Sequence, residues 1–130
     1  MINLRDKLRK ANAEITSISV DDAQALLGSA DVLFLDVRDL HELHRDGTIP
    51  GAEHASRGSL EFAIDSNSRA YNQNIRPELE VIIFCASGMR SLLSAQTMRE
   101  MGFPKVRNLD GGFTAWRNRS APVVMIDVGK

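Results

Sequence analysis

Apolar residues fall along this chain in two kinds of pattern. Val32-Leu33-Phe34-Leu35 and Val81-Ile82-Ile83-Phe84 are continuous runs of branched and aromatic side chains, as strands buried on both faces of a parallel sheet require. Ile15 to Ile18, Ala52 to Ala55 and Val106 to Leu109 read as shorter strands. From Met89 to Met101 the spacing becomes helical, with Leu92, Ala95, Met98 and Met101 on one stripe. Ser19-Val20-Asp21-Asp22 is a capping signature for a helix ending at Leu27-Gly28. Leu40 to His44 gives a turn or two of helix before Gly47 and a Pro50-Gly51 turn, and Ser59 to Ile64 and Gly112 to Asn118 read as two more helices. Asp65 to Glu80 is a polar connector with one turn around Pro77. Strands alternating with helices at this spacing predict an α/β fold with a mainly parallel central sheet flanked by helices.

The first 14 residues stand apart from that alternation. Met1 to Ala13 is rich in Lys, Arg, Leu and Ala, and Ile2, Leu4 and Leu8 predict a short amphipathic helix. The expected organisation is therefore a helical extension over 1–14 and a single domain over 15–130. Such an extension packs on its own domain, pairs with another subunit or frays, the first being the commonest outcome. The expected state is a monomer, or a weak homodimer through Leu4 and Leu8. With 130 residues, 43% of them apolar and 25% charged, the chain has enough material for one core and no room for a tandem copy. A net charge of −1 gives no reason to expect a nucleic-acid or anionic-membrane partner. No apolar run approaches the ~18 residues of a membrane span, and the start lacks the apolar region of a signal peptide. The expected location is cytoplasmic.

Chemistry concentrates at the single cysteine. Cys85 directly follows the run at 81–84 and opens Cys85-Ala86-Ser87-Gly88-Met89-Arg90-Ser91, where strand turns into helix. The carboxyl ends of parallel strands are where such sheets bind ligands. A helix start adds unpaired N–H groups and the positive end of the helix dipole, both of which stabilise a thiolate or a bound oxyanion. Such settings lower a thiol from about 8.5 to roughly 3.5–7.5. The competing reading is a small apolar residue closing the strand. Gly88, which permits tight curvature, and Arg90 tip the balance toward a reactive thiol rather than a buried one.

Cys85-x-x-Gly88-x-Arg90-Ser91 resembles the active-site loop of rhodanese-type sulfurtransferases. The resemblance extends to Leu35-Asp36-Val37-Arg38 followed by Glu42, to Gly47-Thr48-Ile49-Pro50-Gly51-Ala52, to Arg57-Gly58-Ser59-Leu60-Glu61-Phe62 and to Asn108-Leu109-Asp110-Gly111-Gly112-Phe113-Thr114-Ala115-Trp116. These blocks follow the family's order between about Ile15 and Val123. The resemblance implies a rhodanese-like three-layer fold and a thiosulfate sulfurtransferase activity without metal or organic cofactor. Cys85 would attack the outer sulfur of thiosulfate or a persulfide donor, and the resulting Cys85 persulfide would pass its sulfur to a thiol, a protein thiol or cyanide. Ala86, Ser87, Gly88, Met89, Arg90 and Ser91 would surround the persulfide with backbone N–H groups. Two roles stay open for Arg90, bracing loop carbonyls or meeting the donor's sulfonate. With no second cysteine in the chain, the sulfur must leave to another molecule. Mercaptopyruvate-using members resemble Cys-Gly-Ser-Gly-Val-Thr at this loop. Ala86, Met89 and Arg90 point instead to a thiosulfate-type donor, and the uncharged Ala86, Ser87 and Met89 leave a persulfide donor open.

Two other classes compete. Cysteine-dependent phosphatases and arsenate reductases need five residues between cysteine and arginine to encircle a phosphoryl group, and this chain has four. A non-catalytic rhodanese-like binding module is the other, although many of those lose the cysteine. Among the remaining polar residues, Glu42 lies four beyond Arg38, a spacing that suits an ion pair, and Asp36, Arg38 and Glu42 resemble scaffold residues near the pocket. Arg57 faces the pocket mouth or the solvent, and both stay open. Glu61 and Phe62 are expected to pack their own helix. His41, His44 and His54 are too sparse for a metal site and read as solvated. Phe113 and Trp116 read as core. The family often continues with Gly-Leu-Pro-Val where this chain has Ser120-Ala121-Pro122-Val123, which predicts a weaker helix C-cap.

Overall fold

A computed structural model describes residues 1–126; the predicted domain end at Lys130 lies outside the described residues. Strands β1 (Thr16–Ile18), β2 (Val32–Asp36), β3 (Glu53–His54), β4 (Glu80–Phe84) and β5 (Val106–Leu109) form one sheet in the order β1-β5-β4-β2-β3. Every pairing in it is parallel, which sharpens the expected mainly parallel sheet. Helices α2 (Val20–Gln24), α3 (Leu40–Asp46), α4 (Leu60–Ile64) and α5 (Met89–Glu100) lie in the connections, with α1 (Leu4–Glu14) before β1 and α6 (Gly112–Asn118) after β5.

The continuous apolar run of β4 serves two cores at once because successive side chains of a strand point to opposite faces. Val81, Ile83 and Cys85 join one cluster with Leu92, Ala95 and Met98 of α5, Leu60 and Ala63 of α4 and Ala11 of α1. Ile82 and Phe84 join the opposite cluster with Val20 and Ala23 of α2 and Phe113 and Trp116 of α6. The result is three layers, helix, sheet and helix, with the sulfur of Cys85 on the α5 side. Trp116 is fully buried, and its Nε1 donates to the Pro122 carbonyl at 2.7 Å.

The amino-terminal helix starts at Asn3, whose side chain accepts the Asp6 N–H at 2.9 Å. It lies on α5 through Leu8, the fully buried Ala11 and the following Ile15. The stripe that packs is thus Leu8-Ala11-Ile15, while Ile2 and Leu4 stay exposed. Helix α2 ends at Gln24, not at Leu27, because Leu26 and Leu27 bond back only three residues, to Ala23 and Gln24, and the chain tightens into turns. Between α4 and β4 the connector turns on side chains: Asp65, Ser68 and Asn72 each accept the N–H two residues on, and the fully buried Ile75 anchors the stretch. At the end of α6, Ser120 takes the left-handed conformation that glycine usually fills, with φ +57°, while the Ala121 N–H closes the cap on the Trp116 carbonyl.

Candidate active site

Cys85 follows β4 and lies 1% exposed, so the thiol expected to be open is in fact buried beneath its own loop. The reason is local. Helix α5 begins at Gly88, which has no side chain with which to cap it, and the sulfur fills that role. Cys85 Sγ accepts the N–H of Gly88 at 3.1 Å and the N–H of Ser91 at 3.4 Å, with the Ser91 hydroxyl also at 3.4 Å. A φ of +105° at Gly88 folds the loop back far enough for its N–H to reach the sulfur. Ser87 and Met89 form the exposed rim, and Ala86 and Arg90 are half-buried.

Two neighbours hold the loop from behind. The first N–H groups of α6 point at it: Phe113 N–H donates to the Cys85 carbonyl at 2.8 Å and Thr114 N–H to the Ala86 carbonyl at 3.0 Å. Approach this close demands glycine at 112, where a Cβ would sit 2.6 Å from the carbonyl oxygens of both Cys85 and Ala86. From β5, the buried Asn108 donates through Nδ2 to the Gly88 carbonyl at 3.1 Å and accepts the Ser91 hydroxyl on Oδ1 at 2.6 Å.

Charged groups at the adjacent strand end divide into two sets. Arg90 forks onto Glu42, with Nη1 to Oε2 at 2.9 Å and Nη2 to Oε1 at 3.0 Å, which ties α5 to α3. That guanidinium, helped by the Asp39 N–H and opposed by burial, holds the Glu42 carboxyl down from 4.5 to about 2. Glu42 in turn raises Arg90. Arg38 does not pair with Glu42 as the four-residue spacing predicted. It precedes the N-cap Asp39, so its side chain turns into the protein, where it grips Asp36 through Nε and Nη2 and reaches the Gly47 carbonyl at 2.7 Å. Its guanidinium also lies 4.2 Å from the Phe113 ring centre.

A sequence profile of the rhodanese-like domain matches residues 19–119. The chain belongs to the rhodanese-like domain family. A relative from Pseudoalteromonas translucida named thiosulfate sulfurtransferase GlpE is 36% identical over 100 residues, covering 76% of this chain and 86% of its own. Thiosulfate sulfurtransferase 18 of Arabidopsis thaliana is 30% identical over 119 residues, covering 85% of this chain and 84% of its own. Among solved structures, a Rhodopseudomonas palustris protein described as of unknown function and a possible tyrosine phosphatase superposes with a TM-score of 0.90 at 37% identity, over 95% of this chain and 96% of that one. The polysulfide-sulfur transferase homodimer of Wolinella succinogenes gives 0.74 at 30% identity, over 95% and 88%.

Within this rhodanese-like domain, Cys85, Gly88 and Ser91 meet at the sulfur, and Asp36, Arg38, Glu42 and Arg90 form two ion pairs. Arg57, half-exposed, pairs with Glu61 at 3.0 Å and meets Thr97 of α5 at 3.5 Å. Phe62 is 61% exposed and does not pack its helix, because it occupies the outward face between the buried Leu60 and Ala63. His54 is half-buried instead of solvated, with Nε2 at 2.7 Å from the Arg38 carbonyl. The contacts that Asn108, Gly112 and the first turn of α6 make with the sulfur loop escaped the sequence reading. One signal for Asn108 was available: a polar residue at a core position of a strand must find buried partners. Among the described residues no helix is long and apolar enough to cross a membrane.

Proposed function

We propose that this rhodanese-like domain is a sulfurtransferase that carries sulfane sulfur on Cys85. Relatives named thiosulfate sulfurtransferase and sulfurtransferase support sulfur transfer as the family's chemistry. The observation that carries the reading for this chain is the convergence of the Gly88 and Ser91 N–H groups and the Ser91 hydroxyl on one sulfur. In the first step the Cys85 thiolate attacks the outer sulfur of thiosulfate, the donor's S–S bond breaks, and sulfite leaves with the electron pair. In the second, an external thiolate or cyanide takes the outer sulfur and returns the thiolate to Cys85. The backbone N–H groups of Gly88 and Ser91, fixed on the sulfur by the loop, stabilise negative charge at both stages. A persulfide donor enters the same scheme with a thiolate as leaving group.

Intact-protein mass after incubation with thiosulfate tests the reading. The expected result is one added sulfur, labile to cyanide and dithiothreitol and missing in Cys85→Ser. A wild-type protein that gains no sulfur from either thiosulfate or a low-molecular-weight persulfide overturns it. Phosphatase chemistry is the second reading, motivated by the description of the Rhodopseudomonas palustris structure. The four-residue gap and the engagement of Arg90 by Glu42 argue against a phosphate cradle here. Turnover of an aryl phosphate that vanishes in Cys85→Ser is the result that favours it.

A further inference from the structure

The Ser91 hydroxyl has one proton and two acceptors. Its oxygen lies 2.6 Å from Asn108 Oδ1 and 3.4 Å from Cys85 Sγ, and a hydroxyl donates a single hydrogen bond. The orientation of the Asn108 amide follows from its other end. The Gly88 carbonyl, 3.1 Å away, can only accept, so it takes the NH2 group and leaves Oδ1 facing Ser91. Ser91 and Asn108 are 0% and 5% exposed, so water does not stand in for either partner. With a neutral thiol the shorter contact keeps the proton, and the S–H is left to donate to the Ser91 oxygen. When the sulfur is a thiolate, the charge-assisted bond turns the hydroxyl toward it and away from Oδ1.

We propose that Asn108 is a positioning residue: it anchors the sulfur loop at Gly88 and holds the Ser91 proton in reserve, releasing it to the sulfur only as negative charge appears there. This deepens the sulfurtransferase reading and rests on it for its purpose, though not for its test. A freely donating serine would favour the anion at all times. A reserved one ties the extra donor to ionisation, so the loop distinguishes the neutral thiol from the attacking thiolate.

Two measurements on the full chain test the proposal, and neither uses a sulfur donor, so failure of sulfur transfer and failure of this device read separately. The chain's only cysteine supplies its only S–H infrared band. At a pH where the thiol is neutral, the wild-type band is expected at lower frequency than in Ser91→Ala, because the S–H donates to the Ser91 oxygen. A wild-type band at the same or higher frequency overturns the proposal, since the serine is then already donating to sulfur. The second measurement is the pH profile of Cys85 alkylation by chloroacetamide in wild type, Ser91→Ala, Asn108→Leu and the double variant. Removing the competing acceptor is expected to favour the thiolate by about threefold more when Ser91 is present than when residue 91 is alanine. Equal effects in both backgrounds reduce Asn108 to scaffold and sink the idea. Should Asn108→Leu fail to fold, the infrared comparison still decides, because it needs no change at 108.

Discussion

Strands β2 and β4 run side by side with Asp36 opposite Phe84, so their chains leave the sheet at neighbouring points and meet different fates. At the end of β2, charge is fully answered from within. Asp36 accepts from the Arg38 side chain and backbone N–H and from the Thr48 hydroxyl, and Arg38 spends its remaining reach on the Gly47 carbonyl. Both side chains are buried to 1% exposure or less. At the end of β4 the donors of a helix start converge on a sulfur that, among the described residues, bonds to no cation, since the nearby Arg90 is held by Glu42. A saturated ion pair has no capacity left for a substrate, whereas donors aimed at an ionisable atom stabilise whatever charge forms there. Position in the fold makes both strand ends available, and saturation decides which one keeps donors free for chemistry.

Substitutions at the two ends are expected to separate activity from stability. Cys85→Ser should cut sulfur transfer at least about a thousandfold while leaving the urea midpoint nearly unchanged. Arg38→Met, which strands the buried Asp36 carboxylate, should cost about 3–5 kcal/mol in urea unfolding. If Arg38→Met folds with wild-type stability but loses transfer, the division between the two ends is wrong.

Gly112→Ala tests whether α6 must touch the sulfur loop. Its Cβ would press on the carbonyls of Cys85 and Ala86 from a residue at φ +64°, and the expected cost is about 2–3 kcal/mol together with slowed sulfur loading, measured by unfolding and by mass. Glu42→Gln tests the tie between the two ends. Because the folded carboxyl is held near 2 and the unfolded one near 4.5, its contribution is fully present above about pH 4.5 and fades as pH falls toward 2. The variant should therefore be less stable by about 1–2 kcal/mol at pH 7, a figure reduced for screening at Arg90, and should match wild type near pH 2 in urea titrations. Ser120→Gly is the control at the far end of α6. Relief of the left-handed strain, offset by a freer unfolded chain, should raise stability by about 0.5 kcal/mol with loading unchanged.

The strands were legible because a parallel sheet covered on both faces leaves an unmistakable apolar run at 32–35 and at 81–84, and the strand-to-helix turn at Cys85 followed from the change of period after it. The pairing of charges was not legible. Arg38 and Glu42 stand four apart, yet only Glu42 is in the helix, so the spacing rule had no helical face on which to act. Asn108 went unread for a related reason: its partners Gly88 and Ser91 are 20 and 17 residues away, and only the parallel pairing of β4 with β5 brings them into reach.

By itself the sequence determined the α/β alternation and the placing of one thiol at the start of α5, since these depend on side-chain period and local turn chemistry. Only the tertiary structure decided that Arg90 answers to Glu42 and not to the loop carbonyls, and that Asn108 and Gly112 complete the sulfur loop. Those outcomes depend on which strand lies beside which and how closely backbones approach. Such contacts join residues distant in the chain, and no local pattern encodes them.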